Sequence, residues 1–346
     1  MAPLLGLLLA LAPSQVTPKG FFGIEPQVAA DGKRVFVAYG ANNGIFVQRS
    51  DDAGLKYSAP VSLPAAGQLA LGMHRGPRIA LAGKTVVVSA VYGKEGGGQD
   101  GDLLAWRSAN DGATWSGPSR VNDIPAAARE GLHAMTAAKD GTLACAWLDL
   151  RAKGTAIWVA TSKNEGANWS KNVCAYRSPS GTVCECCHPS VAFAPDGKLY
   201  VMFRNWLGGS RDMYLVSSTD GEKFSDAQKL GNGTWPLNAC PMDGGALSVR
   251  SDGTVDSIWR RGNKVYACVP GQPEKEIGDG TQPSFASDVD GRSAVWVLED
   301  GRVHAQLPSG GADLTPGTNP VIVKTEGRLL AFWADRSGRI WTQPLP

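Results

Sequence analysis

Short hydrophobic segments that end in an aromatic residue recur along the chain. Their aromatic residues are Tyr39, Tyr92, Trp147, Phe203, Trp259, Trp296 and Trp333, spaced by 53, 55, 56 and 56 residues and then by 37 and 37. Each segment follows a turn that contains glycine, and a shorter apolar segment, usually opened by proline, precedes that turn. Strand, tight turn and strand is the signal of a β-hairpin. The pattern therefore predicts seven repeats of antiparallel strands.

A third strand follows each aromatic segment, and four of these strands run into a further motif. The motif occupies Ser50–Tyr57, Ser108–Trp115, Ser162–Trp169 and Ser217–Phe224, with its glycines 58, 54 and 55 residues apart. Its polar side chains can bond their own turn, its glycine supplies a positive φ, and we expect its aromatic residue to fill a gap between strands of its own repeat. The four segments resemble the Asp box, SxDxGxTW, of sialidases and related BNR-repeat proteins. The resemblance implies a structural role, so we assign the box no chemistry.

Seven repeats predict an all-β, Asp-box β-propeller of seven blades around a central channel. Six blades, the number in true sialidases, is the alternative if one short repeat is a decoration. The last repeat, Asn319–Pro346, has room for only three strands. We therefore expect the N-terminal segment Thr17–Gly23 to complete the last blade, which removes an exposed sheet edge. The propeller forms a single domain over residues 17–346.

Composition agrees with a β-rich chain and excludes some partners. The sequence holds 43 Gly, 22 Pro and 11 Trp, and only 19% of its residues are charged. The formal net charge is +2, and no run of Lys or Arg is interleaved with aromatic residues. Nucleic acid and anionic membrane surfaces are therefore excluded as main partners. We expect a monomer.

Residues 1–16 are apolar and then small, too short to span a bilayer, and they predict a cleaved signal peptide. No other segment is long and apolar enough to cross a membrane. The protein is therefore expected to be secreted or periplasmic, where disulfides persist. Its seven cysteines are an odd number, so at least one thiol stays unpaired or binds a metal.

The residues just before the inner strands are expected at one mouth of the channel. Alignment of the repeats on the opening proline places Glu25, Gly76, His133, His188, Cys240, Gln282 and Asn319 at equivalent positions. His74 lies two residues before this ring, and Asp243 lies shortly after Cys240. We predict a ligand site at this mouth, formed by His74, His133, His188, Cys187, Cys240 and Asp243.

Histidine and cysteine at this mouth allow two interpretations. His133, His188, Cys187 and Cys240 could bind copper or zinc, which accept thiolate and imidazole ligands. Alternatively, disulfides form beside hydrogen-bonded histidines, with Cys240 bridged to Cys186 or Cys187, or Cys174 bridged to Cys184. We favour the second interpretation because export favours oxidation. Cys145 and Cys268 lie within strands and are expected to be small buried hydrophobes.

Residues 184–245 resemble a subgroup of bacterial sialidase-like proteins often named exo-alpha-sialidase. The resemblance rests on Cys184–Pro189, Arg204-Asn205, Arg211-Asp212 and Asn238–Gly244. A sialidase needs three arginines that clamp the sugar carboxylate, an acid, and a Tyr nucleophile activated by Glu. The first arginine normally lies on the first inner strand, which here reads Gly23–Gln27 without arginine, and the last tyrosine is Tyr266.

Three functions follow from these patterns. The first is a propeller that binds a glycan or small ligand at its mouth and is not a standard sialidase. The second is an exo-alpha-sialidase-type glycoside hydrolase with a rearranged site, in which Arg78, Arg204 and Arg211 bind an anion and Glu130 and Asp149 are candidate acids. The third is a periplasmic metal-binding protein.

Overall fold

The computed structural model describes residues 12–288 and 291–346, apart from the side chain of Asp288. Seven antiparallel sheets form seven blades, so the prediction of a seven-bladed, all-β propeller is confirmed and the six-bladed alternative is wrong. The described residues contain no helix that is long and apolar enough to cross a membrane. Residues 1–11 of the predicted signal peptide lie outside the described residues, and export stays a prediction.

The first four blades hold the repeats with long spacing. The chain begins with β1 (Ser14–Gln15), and the first blade contains β2 (Ile24–Asp31), β3 (Arg34–Ala41), β4 (Gly44–Ser50) and β5 (Val61–Ser62). The second contains β6 (Gln68–Leu69), β7 (Arg78–Ala82), β8 (Thr85–Gly93), β9 (Asp102–Ser108) and β10 (Ser116–Arg120). The third contains β11 (His133–Ala137), β12 (Leu143–Asp149), β13 (Ala156–Ser162) and β14 (Val173–Tyr176). The fourth contains β15 (Ser190–Phe193), β16 (Leu199–Arg204), β17 (Met213–Ser218) and β18 (Gln228–Lys229).

The last three blades have shorter connections. The fifth contains β19 (Ala246–Val249), β20 (Val255–Arg261), β21 (Lys264–Cys268) and β22 (Lys275–Asp279). The sixth contains β23 (Thr281–Asp288), β24 (Gly291–Val297), β25 (Arg302–Leu307) and β26 (Gly310–Pro316). The seventh contains β27 (Thr318–Thr325), β28 (Arg328–Ala334) and β29 (Ile340–Leu345), and β1 is its outermost strand.

The N-terminal segment closes the ring, as predicted, but at a different place. β1 pairs antiparallel with β29, with Ser14 opposite Thr342, and the Val16 N–H donates to the Ile340 carbonyl at 2.8 Å. The closing strand is therefore not Thr17–Gly23. That segment instead crosses to the first blade, where Phe21 packs edge-on against Phe46 with ring centroids 4.9 Å apart. Residues 14–16, which the predicted boundary assigns to the signal peptide, are thus part of the last blade.

The aromatic residues that end the second strands fill the spaces between blades. Trp147, Trp296 and Trp333 are 0 to 1% exposed. Trp147 packs with Val87 and Leu103 of the preceding blade. Complete burial of such a side chain stabilises the fold by roughly 1.5–3 kcal/mol.

Each Asp box lies against the preceding blade. Within the first box, Ser50 Oγ accepts the Gly54 N–H at 2.9 Å and Asp52 Oδ1 accepts the Lys56 N–H at 2.9 Å. Tyr57 packs edge-on against Phe332 of the seventh blade, with ring centroids 6.3 Å apart. The expectation that these aromatic residues fill gaps within their own blades is incomplete, because they pack with the preceding blade as well. All four, Tyr57, Trp115, Trp169 and Phe224, are half-buried.

Because successive strands of a blade run antiparallel, their connecting loops lie alternately on two opposite faces of the propeller. Turns between first and second strands and the Asp boxes lie on one face. Loops between second and third strands, and the connections into each new inner strand, lie on the opposite face. We call this opposite face the mouth face, because the inner strands begin there around the axis.

Candidate functional site

A cavity of about 170 Å³ lies on the axis at the mouth face. All seven inner strands contribute to its wall near their first residues. Its polar lining includes Glu25, Gln27, His74, Arg78, His188, Ser190, Gln282, Ser284 and Asn319. Among the described residues that line it, Arg78 is the only arginine and Glu25 is the only carboxylate, and there is no tyrosine or cysteine.

Four lining residues other than glycine have a positive φ, namely His74 with φ 65° and three residues at the starts of inner strands. Glu25, Gln282 and Asn319 have φ values of 55°, 58° and 51°. Each stands where the pairing of the inner strand shifts register, for example between Ile24 and Gln27. A positive φ in a residue other than glycine is uncommon, and such strain gathers at functional sites. At the corresponding place in the second blade the sequence has Gly76, with φ 116°.

Side chains at the mouth hold the backbone of the next blade. Glu25 Oε1 accepts the N–H of His74 at 3.0 Å. Asp243 Oδ2 accepts the N–H of Gln282 at 2.7 Å, and Gln282 Oε1 accepts the N–H of Asn319 at 2.7 Å. Polar side chains of the ring therefore have a structural role, since they hydrogen-bond to the backbone of the next blade. They tie neighbouring blades together around the axis.

Arg78 and Glu25 are the charged pair of this cavity. Arg78 is 7% exposed and donates to the carbonyls of Pro77 and His74 at 2.9 and 2.7 Å, which leaves three of its five N–H groups for other partners. Burial raises the pKa of Glu25 to about 7, and the nearby Arg78 opposes this rise only in part. Burial lowers the pKa of Arg78 to about 10. The guanidinium is thus ionised at neutral pH beside a carboxyl group that is partly protonated.

Two histidines of the predicted ligand site meet at the cavity. The rings of His74 and His188 lie 4.9 Å apart, tilted by 31°. His188 Nε2 donates to the Gly245 carbonyl at 3.2 Å, and the described residues offer its Nδ1 no partner. Burial lowers the pKa of both histidines. Neutral imidazoles therefore line the wall at neutral pH.

His133 lies in the wall of the second and third blades and does not line the cavity. It is completely buried, and its Nε2 is 3.0 Å from Ser89 Oγ. Burial lowers its pKa to about 3, so the ring is neutral.

Cys240 does not belong to the ring. Pro241 does not open the fifth inner strand, which begins at Ala246. The intervening loop is held by Arg204, which donates to the Asp243 carbonyl at 3.2 and 3.0 Å. Asp243 is 1% exposed beside the axis, whereas Cys240 is exposed.

The predicted mixed metal set is not assembled. Among the described residues, one group of three or more metal-ligating side chains has all its donor atoms within 4.8 Å of one another, and it contains Cys184, Cys186 and Cys187. His133, His188 and Cys240 are not in it. His188 turns into the cavity wall although it directly follows Cys187.

None of the predicted disulfides is formed. All seven cysteines are described, and each is unbonded. Cys174 is exposed on β14, whereas Cys184 is buried in the three-thiol cluster. Cys145 and Cys268 are buried within their strands.

The residues of the rearranged hydrolase site do not converge. Arg204 donates to the carbonyls of Asp243, Arg211 and Arg260, and Arg211 donates to Cys184 Sγ at 3.0 Å. Both line a separate recess with Trp235, away from Arg78. The three arginines of the predicted anion site, Arg78, Arg204 and Arg211, therefore do not line one cavity.

The two candidate acids are engaged elsewhere. Asp149 is buried and accepts from Trp147 Nε1 at 2.8 Å and from Arg151 Nε at 2.9 Å. Glu130 is half-buried near Arg75, and burial raises its pKa. Neither carboxyl group lines the axial cavity.

Comparisons with known proteins agree with this fold. The family model described as BNR repeat-like domain matches residues 84–255, about half of the chain. A search of curated proteins finds no match.

Several solved structures are similar over almost the whole chain. An alpha-L-arabinanase of Penicillium chrysogenum, complexed with arabinobiose, is 14% identical with a TM-score of 0.55 over 97% of this chain and 98% of that one. A leech intramolecular trans-sialidase, complexed with 2,7-anhydro-Neu5Ac, is 11% identical with a TM-score of 0.60 over 97% of this chain and 70% of that one. An ulvan lyase bound to -[GlcA(1-4)Rha3S]- is 11% identical with a TM-score of 0.55 over 95% of both chains. At this identity the similarity concerns the fold.

Proposed function

Because this chain belongs to the sialidase-like β-propellers with BNR repeats, we propose that it binds an acidic carbohydrate at the mouth of its central channel. The observation that carries the proposal is the buried guanidinium group of Arg78 in the axial cavity. Arg78 would bind the carboxylate of the sugar through the N–H groups that do not donate to the carbonyls of Pro77 and His74.

The electrostatics of the cavity favour an anion. A buried charge is costly unless it is paired and hydrogen-bonded. The one carboxylate in the lining, Glu25, is only partly ionised at neutral pH because burial raises its pKa to about 7. A ligand carboxylate would balance the buried positive charge of Arg78. Arginine binds carboxylates through two parallel N–H···O hydrogen bonds.

The size of the cavity suits the end of a glycan. At about 170 Å³ it is smaller than the roughly 300–1,000 Å³ of sites for drug-sized ligands. We therefore propose that one terminal sugar enters it. The remaining units of a longer glycan would lie on the mouth face.

The mouth face offers apolar side chains for those units. Phe22, Met73, Trp206 and Leu207 are 60, 62, 37 and 37% exposed, and all four stand on mouth-face loops. The carbohydrates bound by the similar arabinanase, trans-sialidase and ulvan lyase add support for a saccharide.

Binding is favoured over hydrolysis. Standard glycosidases place two carboxyl groups about the scissile bond, and sialidases use a tyrosine nucleophile. The described lining has one carboxyl group and no tyrosine. We also propose secretion or a periplasmic location, where glycans and their fragments are met.

Equilibrium binding of D-glucuronate, with D-glucose as the neutral counterpart, tests the proposal by calorimetry or ligand-observed NMR. We expect glucuronate to bind and glucose to bind at least about tenfold more weakly. A tenfold ratio of dissociation constants corresponds to about 1.4 kcal/mol of binding free energy from the carboxylate. Arg78→Gln should abolish this preference, while Arg302→Gln, an exposed arginine of the sixth blade, should not. Equal affinity for both sugars would contradict the proposal. Release of product from a fluorogenic sialoside would favour the hydrolase instead.

A further inference from the structure

Three cysteine thiols meet in the mouth-face loop that leads into the fourth blade. Cys184, Cys186 and Cys187 are 0, 7 and 1% exposed. The Sγ of Cys184 lies 3.6 Å from that of Cys186 and 3.4 Å from that of Cys187. We propose that this cluster binds a single monovalent copper ion, Cu(I), through its three thiolates.

The spacing of the sulfur atoms suits one shared metal. A metal about 2.3 Å from each of three thiolates in a trigonal arrangement needs sulfur separations of about 4 Å. The two shorter separations are within about half an ångström of this value, and all three donor atoms lie within 4.8 Å of one another. Side-chain rotation in a loop can supply that adjustment without a change of fold.

The charges around the cluster favour a monovalent ion. Arg211 Nη1 lies 3.0 Å from Cys184 Sγ, and the guanidinium group of Arg204 acts on the same thiol over a longer distance. Three thiolates and one Cu(I) carry two net negative charges, which the two arginines balance. A divalent ion would leave a buried excess of positive charge.

The surroundings favour a soft metal in three-coordination. Met242 packs against the three cysteines, and thiolate ligands suit soft or borderline metal centres such as Cu(I), zinc and iron–sulfur clusters. Zinc in structural sites takes four ligands in a tetrahedron, and the described residues place no fourth His, Cys, Asp or Glu donor in this group. Hydrogen bonds fix the loop, since Cys184 N–H donates to the Arg204 carbonyl at 3.1 Å and Val183 N–H to the Thr155 carbonyl at 3.0 Å.

This site is independent of the proposed carbohydrate site. None of the three cysteines lines the axial cavity. The two sites are neighbours through Cys187 and His188, and through Met242 and Asp243. A failure of either proposal therefore leaves the other untouched.

The test is a competition titration of the reduced protein with Cu(I) under anaerobic conditions, against the chromogenic chelator bicinchoninate. We expect one Cu(I) per chain to be withdrawn from the chelator, with a new near-ultraviolet absorption from thiolate to metal. Cys184→Ser should weaken binding at least about 100-fold, and Arg211→Gln about tenfold, as for a group that supports a ligand. Arg211→Lys, which keeps the charge, should restore part of the loss.

The controls separate ligation from folding. Cys268→Ser removes a buried thiol of the fifth blade and Cys174→Ser an exposed one, and both should bind Cu(I) as the wild type does. If Cys184→Ser fails to fold, Cys186→Ser is the second variant, because Cys186 is the most exposed of the three thiols. It should show the same loss of Cu(I) affinity.

Three results would overturn the proposal. The first is that reduced wild-type protein withdraws no copper. The second is an equal loss of Cu(I) affinity in Cys184→Ser and Cys268→Ser. The third is displacement of Cu(I) by an equal concentration of Zn(II).

Discussion

Glu25 of the first blade and Arg78 of the second hold the same residue, His74, from opposite ends of its backbone. Glu25 Oε1 accepts the His74 N–H at 3.0 Å, and Arg78 Nη2 donates to the His74 carbonyl at 2.7 Å. His74 has a φ of 65°, which a residue other than glycine adopts only when its surroundings impose it. The charged pair therefore shapes the loop beside the cavity as well as the cavity itself.

The first prediction concerns the pH dependence of stability. Burial raises the pKa of Glu25 from 4.5 to about 7, so the folded state binds this proton more tightly than the unfolded state. The resulting stabilisation is complete below pH 4.5 and is lost as the pH rises through 7. Glu25→Gln keeps the acceptor for His74 but cannot ionise. Relative to that variant, the free energy of unfolding of the wild type should fall by about 3 kcal/mol between pH 4.5 and pH 8, measured by urea unfolding.

A pH-independent difference between wild type and Glu25→Gln would mean that the carboxyl group is not desolvated. Lys264→Gln, which changes an exposed charge of the fifth blade, is a suitable control and should show a small difference at every pH of this range.

The second prediction concerns the Asp boxes as contacts between blades. Trp115 is half-buried and packs with residues of both the first and the second blade. Trp115→Ala should destabilise the protein by about 2–3 kcal/mol, less than for a fully buried aromatic residue. Trp206→Ala, at an exposed position on the mouth face, should change stability by less than about 1 kcal/mol. Equal effects of the two substitutions in chemical denaturation would show that the box does not join the blades.

The third prediction concerns ring closure. A chain that begins at residue 12 retains β1, whereas a chain that begins at residue 17 lacks it and exposes the edge of β29. The shorter chain should melt several degrees lower and aggregate faster, because Val16, which is 4% exposed, is also lost. Identical melting temperatures in scanning calorimetry would show that closure does not depend on this strand.

The number of blades could be predicted from the sequence because spacing and turn chemistry repeat along the chain. The place of closure could not, since β1 has only two paired residues and no pattern of its own. Cys240 was misplaced because a proline opens most inner strands, whereas Pro241 opens a loop held by Arg204. Glu25 and Arg78 are each candidate mouth or site residues in the sequence. Their joint hold on His74 depends on backbone groups, which a sequence pattern does not reveal.

The same limit applies to the cysteines. The sequence shows that Cys184, Cys186 and Cys187 are close together along the chain. It does not show that the His188 side chain lies apart from their thiols, in the wall of the axial cavity. Consecutive residues in a loop can face different ways, and His188 reaches the Gly245 carbonyl in the fifth blade.

The central claim is that a sugar carboxylate joins Arg78 in the axial cavity, and the pH dependence of glucuronate affinity tests it most directly. A second negative charge beside Glu25 favours the protonated form of that carboxyl group, so binding should take up protons near pH 7. Calorimetry at pH 6, 7 and 8 should show affinity that falls by up to about tenfold per pH unit above 7, and Glu25→Gln should remove this dependence. Affinity that is constant or rises with pH in the wild type, or that depends on pH equally in Glu25→Gln, would contradict the claim.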